Sequence, residues 1–121
     1  MKVFVSHSSG CDFINNLYKP LRSSQINKDH KIFLPHENNK NVLTKDIIKN
    51  SDVVIAEVSY SSTGQGIELG WANIFNIPII CIYQNTTKPS GSLKYITKTI
   101  VTYKDAEEMI KKLTDALDRS S

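Results

Sequence analysis

Apolar residues recur along this chain in short runs: KVFV near the start, then KIFL, VVIAEV and IPIICIY. These runs are rich in Val and Ile and mostly continuous rather than alternating, the pattern of strands covered on both faces and hence of a parallel sheet. A fifth run, TIVTY at 99–103, is weaker. Between the runs the apolar spacing becomes helical. Phe13, Leu17 and Leu21 recur at four-residue spacing and predict a helix over about 11–24; others are predicted over about 42–50 and 65–76. Pro20 falls inside the first of these, where a proline kinks or ends a helix. A closing helix carries Ala106, Met109, Ile110, Leu113 and Leu117 on one face and Lys, Asp and Glu on the other.

Strand and helix therefore alternate, with no internal repeat, low-complexity segment or linker, which predicts a single domain over 1–121. Right-handed crossovers leave few topologies for such an order. The expected fold is α/β: a doubly wound, flavodoxin-like, five-stranded parallel sheet of order 2-1-3-4-5 in three α/β/α layers. Ligands of such sheets bind beyond the carboxyl ends of the strands, where the winding reverses between strands 1 and 3. Two loops meet there: Ser6-His7-Ser8-Ser9-Gly10, and Ser59-Tyr60-Ser61-Ser62-Thr63-Gly64-Gln65-Gly66. Hydroxyls and free backbone N–H groups at helix starts suit a sugar or a phosphate.

Composition narrows the partners. No stretch approaches the roughly 20 apolar residues of a membrane span, so no membrane partner is expected. The opening MKVFVSHSSG has only a short apolar run, Val3-Phe4-Val5, too short for a signal peptide, and a cytoplasmic protein is expected. The net charge of +3 arises from scattered residues, which speaks against nucleic acid while leaving a small anion open. Cys11 and Cys81 fit no metal spacing and the three histidines form no pair, so neither a metal nor a cofactor is expected.

Glu68 is the residue that asks for an explanation. It follows two glycines and lies among Ile67, Leu69, Trp71, Ala72, Ile74 and Phe75, which go almost all the way round the predicted helix. A first-turn glutamate can simply complement the helix dipole, for about 0.3–1 kcal/mol. On a helix buried on several sides, however, a carboxylate is rarely left without partner or purpose. Held charged in a site with little water, it would serve as a nucleophile.

Asp52-Val-Val-Ile-Ala-Glu-Val-Ser59, then Ser62-x-Gly64-x-Gly66-x-Glu68-Leu69-Gly70-x-Ala72 and Asn76-Ile-Pro78-Ile-Ile, resembles the nucleoside 2-deoxyribosyltransferase family. It is most similar to the branch of deoxynucleoside 5'-monophosphate N-glycosidases. The clear match covers residues 52–83, about a third of the chain. The resemblance implies an enzyme that cleaves the base–sugar bond of a nucleoside or its 5'-monophosphate, by hydrolysis or transfer. Glu68 would attack the anomeric carbon and form a covalent glycosyl intermediate, as in retaining glycosidases. Ser62, six residues earlier, matches the phosphate-facing serine of the hydrolase branch, and with the N–H groups of Gly64 and Gly66 would cradle an anion.

Elsewhere the chain departs from the pattern. Where the hydrolase branch has a phosphate-facing arginine after strand 1, Ser9 stands here. The family's aspartate before strand 3 falls on Thr44 if counted without gaps, and on Asp46 if that helix is two residues shorter; Asp46 is the second catalytic candidate. Substrate-binding candidates are Ser6, His7, Ser8, Ser9, Gly10, Ser62, Gly64, Gly66, His36 and Glu57. For Glu57, bonding a ligand hydroxyl and tying down the neighbouring loop are both open, and His36 and Glu37 stand near the expected cleft rim. The apolar helix of Glu68 needs cover beyond one sheet, and the resemblance also implies a homodimer. Two other readings compete. VFVSHSSGCDF also resembles the opening of TIR domains, whose enzymatic members cleave NAD, and the missing arginine fits a non-catalytic nucleotide-binding module of the same fold.

Overall fold

The computed structural model describes residues 1–38 and 42–120. Five parallel strands, β1 (Lys2–His7), β2 (Lys31–Phe33), β3 (Val53–Glu57), β4 (Ile79–Gln84) and β5 (Thr99–Tyr103), form one sheet in the order β2-β1-β3-β4-β5. This is the α/β, flavodoxin-like topology that the alternation predicts. β1 runs in register with β3 from Val3 opposite Val53 to His7 opposite Glu57, so the two central strands end level at the switch point.

The pleat sorts the core into two halves. Val3, Val5, Val53 and Ile55 face Leu17, Leu21, Met109, Leu113 and Leu117 on one side. Phe4, Val54, Ala56 and Cys81 face Ile48, Leu69 and Ala72 on the other. Both sides are apolar because every central strand is covered twice, which is why their sequences read as continuous runs. Burial pushes the Cys81 thiol up to about 12, in keeping with its part as a small hydrophobe.

The helices depart from expectation mainly near proline. The stretch expected as one helix over 11–24 is a π-helical turn, Ile14–Tyr18, running into the short α1 (Lys19–Arg22), followed by α2 (Gln25–Asp29). Pro20, near the start of α1, has no N–H to bond the preceding turn, and that turn is wound wide, with Lys19 N–H donating to the Ile14 carbonyl. α3 is only Lys45–Lys49, with Thr44 at its N-cap. α4 spans Thr63–Ile74 and begins where Ser62 Oγ accepts the Gln65 N–H at 3.3 Å, a serine N-cap. It ends at Asn76, whose φ of 59° and the Ile77 N–H bond to the Ala72 carbonyl close the helix in the left-handed manner. α5 (Ala106–Ser120) buries Met109, Leu113 and Leu117 of its expected face together with Ala116, while Ile110 is half-buried and Ala106 exposed.

α4 is buried on fewer sides than its composition suggests. Leu69 and Ala72 pack on the sheet, Trp71 is half-buried, and Ile67 and Ile74 stand 50% and 75% exposed. Among the described residues no helix is long and apolar enough to cross a membrane.

Candidate active site

A cleft of about 560 Å³ opens beyond the carboxyl ends of β1 and β3, at the predicted switch point. Its floor is Glu68, with Ser62, Gly64 and Gln65 from the same helix start; its other walls are His7 and Ser9 after β1, Pro35 and His36 after β2, and Val42, Leu43 and Thr44 before α3. Among the described lining residues Glu68 is the one carboxylate, facing two imidazoles and no lysine or arginine.

Both oxygens of Glu68 are held. Ser6 Oγ donates to Oε1 at 2.9 Å and Thr44 Oγ1 donates to Oε2 at 2.7 Å. Two hydroxyl donors from different elements fix the plane of the carboxylate, and each oxygen retains a further lone pair. α4 itself is pinned by Gln65, whose buried amide donates to the Glu57 carbonyl at 2.7 Å and the Ser6 carbonyl at 3.3 Å, tying the first turn to the ends of β3 and β1. The carboxylate is thus oriented by both central strands and by the cap of α3.

The predicted site residues divide by geometry. Ser6 and Glu68 are bonded to each other, and His7, Ser9, His36, Ser62 and Gly64 line the same cleft. Ser8 and Gly10 shape the loop behind it: Ser8 Oγ accepts the Gly10 N–H at 3.0 Å, and the Ser8 carbonyl bonds His7 Nδ1 at 2.8 Å. Gly66 lies beside a separate cavity bounded by Leu93 and Ile96, because two residues of helix turn a position about 200° away from Gly64.

Asp46 requires a correction. It faces away from Glu68, beside Lys2, Phe33 and Asn50 at the opposite end of the strands. The residue that meets Glu68 is Thr44, the position reached by counting without gaps; two residues on, α3 has already turned Asp46 to its other side. Glu57 is also drawn elsewhere. It shares the pleat face of Val53 and Ile55, opposite to α4, and is only 4% exposed. Its carboxylate accepts the Ser59 N–H at 2.6 Å, the Ser59 hydroxyl at 3.0 Å and the Tyr103 hydroxyl, so its donors come from the loop and from β5. Glu37 is taken up by Arg22 in a two-pronged pair with both distances 2.8 Å, which holds its carboxyl below the usual range.

Tyr18, Pro35, Val42 and Leu43 were not anticipated. The apolar pair is 45% and 71% exposed at the cleft rim, and no local pattern distinguishes it from a surface turn. Tyr18 reads as an ordinary core position of the first helix, and only the fold brings its hydroxyl to His7, at 2.6 Å from Nε2. Among the described residues no three His, Cys, Asp or Glu side chains cluster so as to hold a metal ion.

No protein-family profile matches the sequence, and no curated protein matches it. Solved structures do. The chain is similar to the CMP N-glycosidase BcmB of Clostridium botulinum, with 21% identity, a TM-score of 0.69 and coverage of 94% of this chain and 99% of that one. It is similar to a 2-deoxyribosyltransferase of Bacillus psychrosaccharolyticus at 20% identity and a TM-score of 0.59, covering 90% of each chain. A conserved protein of Enterococcus faecalis aligns at 15% identity and a TM-score of 0.62, over 96% of this chain and 98% of that one. At these identities the likeness is one of fold, over nearly the whole chain.

Proposed function

We propose that the protein is an N-glycosidase or deoxyribosyltransferase that cleaves the base–sugar bond of a nucleoside or its 5'-monophosphate, with Glu68 as nucleophile. The observation that carries this is the cleft carboxylate of Glu68, the one carboxylate among the described lining residues, at the switch point with both oxygens oriented by hydroxyl donors. Two neighbours in fold with named activities, an N-glycosidase of CMP and a 2-deoxyribosyltransferase, support the same chemistry and do not favour a TIR-like cleavage of NAD.

In this reaction a Glu68 oxygen attacks the anomeric carbon on the face opposite the base. The C–O bond forms as the C–N bond breaks, the bonding pair leaves on the base nitrogen, and the base takes up a proton from solvent. Water, or a second base, then attacks the same carbon and releases the Glu68 carboxylate, giving up a proton. The Ser6 and Thr44 hydroxyls favour the carboxylate over the ester, so they assist this second step as well as aiming the first. The base lies towards Pro35 and His36, and the 5' end of the sugar towards Ser9, Ser62 and Gly64. The chemistry asks for no cofactor.

Incubation with each deoxynucleoside, ribonucleoside and 5'-monophosphate, with chromatography of the freed base, tests the reaction. A 2-fluoro sugar analogue should leave its mass on the peptide containing Glu68. Absence of base release from every member of the set, or a label on another peptide, refutes the proposal. Thr44→Val should lower kcat roughly 10- to 100-fold, the scale of a misaimed nucleophile, and Thr44→Ser should restore most of it. A Thr44→Val enzyme as fast as the parent would remove Thr44 from the site.

The active form in this proposal is a homodimer. Ile67, Trp71 and Ile74 make an apolar stripe along the outer face of α4 at helical spacing, and Gly66 and Gly70 beside it have open space where a side chain would stand. A second α4 across a two-fold axis would cover that stripe. Sedimentation should show a dimer in the parent, and Ile74→Glu should weaken it by at least about 30-fold, the effect of losing one interface hot spot. A monomeric parent at high micromolar concentration contradicts this.

A further inference from the structure

Behind the cleft wall the hydroxyl of Tyr18 joins two residues that face the cleft. It lies 2.6 Å from His7 Nε2 and 3.1 Å from the backbone nitrogen of His36, and Tyr18 is only 3% exposed. The π-helical turn Ile14–Tyr18 carries it there, a winding that recurs at functional sites. Phe13 completes the packing, its ring centroid 4.4 Å from that of His7, 5.1 Å from Tyr18 and 5.6 Å from His36.

Donor chemistry fixes the direction of the chain. His7 Nδ1 is 2.8 Å from the Ser8 carbonyl, which can only accept, so Nδ1 carries the hydrogen. In a neutral imidazole Nε2 must then accept, and its donor is the Tyr18 hydroxyl. The Tyr18 oxygen in turn accepts the His36 N–H. Each of the three groups has one partner that the others cannot replace.

We propose that Tyr18 is a positioning residue for the base-facing wall of the cleft, its hydroxyl holding the Pro35–His36 turn in place through a neutral His7. The word base rests on the function proposed above; the positioning itself does not. Protonated His7 would turn a second N–H towards the Tyr18 oxygen, which already accepts from His36. Either the hydroxyl hydrogen is then left without an acceptor in a buried place, or the His36 N–H is released. The wall therefore loosens when His7 gains a proton.

The surroundings favour the neutral ring. Burial is the largest influence and lowers the His7 pKa; the Ser8 carbonyl acts the other way and the nearby His36 lowers it further. Tyr18 faces it from the π-helical turn, itself pushed up to about 12, mainly by burial. Among the described residues other titratable groups nearby are Cys11 in the same loop, Glu57 at the paired position on β3, Glu68 across the cleft and Glu37 beside His36, the last tied to Arg22. A carboxylate close by would favour a cation, but the net direction for His7 is downward, with burial its largest cause. A folded value below the unfolded one means that the contribution is present above about pH 6.5 and lost as pH falls through the folded value.

Nitrogen NMR of the His7 ring and hydrogen exchange at the His36 amide test this without substrate. The parent at neutral pH should show the Nδ1–H tautomer. The His36 amide, corrected for intrinsic exchange, should exchange about tenfold faster in Tyr18→Phe, the weight of one lost hydrogen bond, and likewise in the parent once His7 is protonated. With an active parent, Tyr18→Phe should raise KM about tenfold with kcat nearly unchanged, as for uniform binding lost. An Nε2–H tautomer, unaltered His36 protection on acidification, or a loss confined to kcat overturns the proposal. If the parent releases no base, the function proposed above fails, while the tautomer and the amide protection still decide the part of Tyr18; both are read on the parent, so the answer does not depend on the variant folding.

Discussion

Glu68→Gln should lose at least about 10³-fold in base release, the scale seen when a covalent nucleophile is removed. Glutamine has the shape of glutamate, and its amide oxygen can still accept from Ser6 or Thr44, whose hydroxyls rotate freely. It cannot form the glycosyl ester. The fold should be untouched: the side chain opens onto the cleft and not into either half of the core, so the stability change should stay within about 1 kcal/mol. Base release by chromatography and a thermal melt on the same sample check both halves. Turnover near the parent's would end the assignment of Glu68, and a collapsed melt would show it to be a structural carboxylate.

The second large effect is on stability. Glu57→Ala removes the acceptor of three donors at once: the Ser59 N–H, the Ser59 hydroxyl and the Tyr103 hydroxyl. Glu57 is buried among them, and Ser59 Oγ also accepts the Gln84 N–H at 2.8 Å, so the network ties β3, β4 and β5 together at their carboxyl ends. Unpaired buried donors cost about 1–3 kcal/mol each, partly offset by no longer burying a charge, so a net loss of about 2–4 kcal/mol is expected. Against a total of about 5–15 kcal/mol for a domain, that is visible in urea titration as a lower midpoint with unchanged slope. Glu57→Gln keeps one acceptor oxygen and should lose about half as much. Were Glu57 a ligand contact, as its place after strand 3 also allows, the alanine variant would instead melt like the parent and lose activity.

Why some of this is legible in the sequence and some is not follows from particular residues. Continuous Val and Ile runs at β1, β3 and β4 require cover on both faces, and the alternation with helices then leaves few strand orders, of which 2-1-3-4-5 is the usual one and the one found. That order puts the loops of Ser6 and Ser62 together and sets Glu68 behind them, and the structure has all three at one cleft end. Pro20 announces a break in the first helix but not its form, because a wide turn and an ordinary kink both relieve the missing N–H. Thr44 and Asp46 are two residues apart, and which of them reaches Glu68 depends on where α3 begins, a matter of one cap. Gly64 and Gly66 divide in the same way between two cavities.

By itself, then, the sequence determined the layers, the order of the strands and the end of the sheet at which a ligand would bind, because burial on both faces and the handedness of crossovers act through local pattern. The tertiary structure alone decided which hydroxyls hold Glu68, that Glu57 belongs to Ser59 and Tyr103, and that Tyr18 stands behind His7 and His36. Apart from the Glu57–Ser59 pair, two residues apart, those contacts join residues 11 to 62 positions apart, and their donors and acceptors meet only after helix phase and strand pleat have been set for the whole chain.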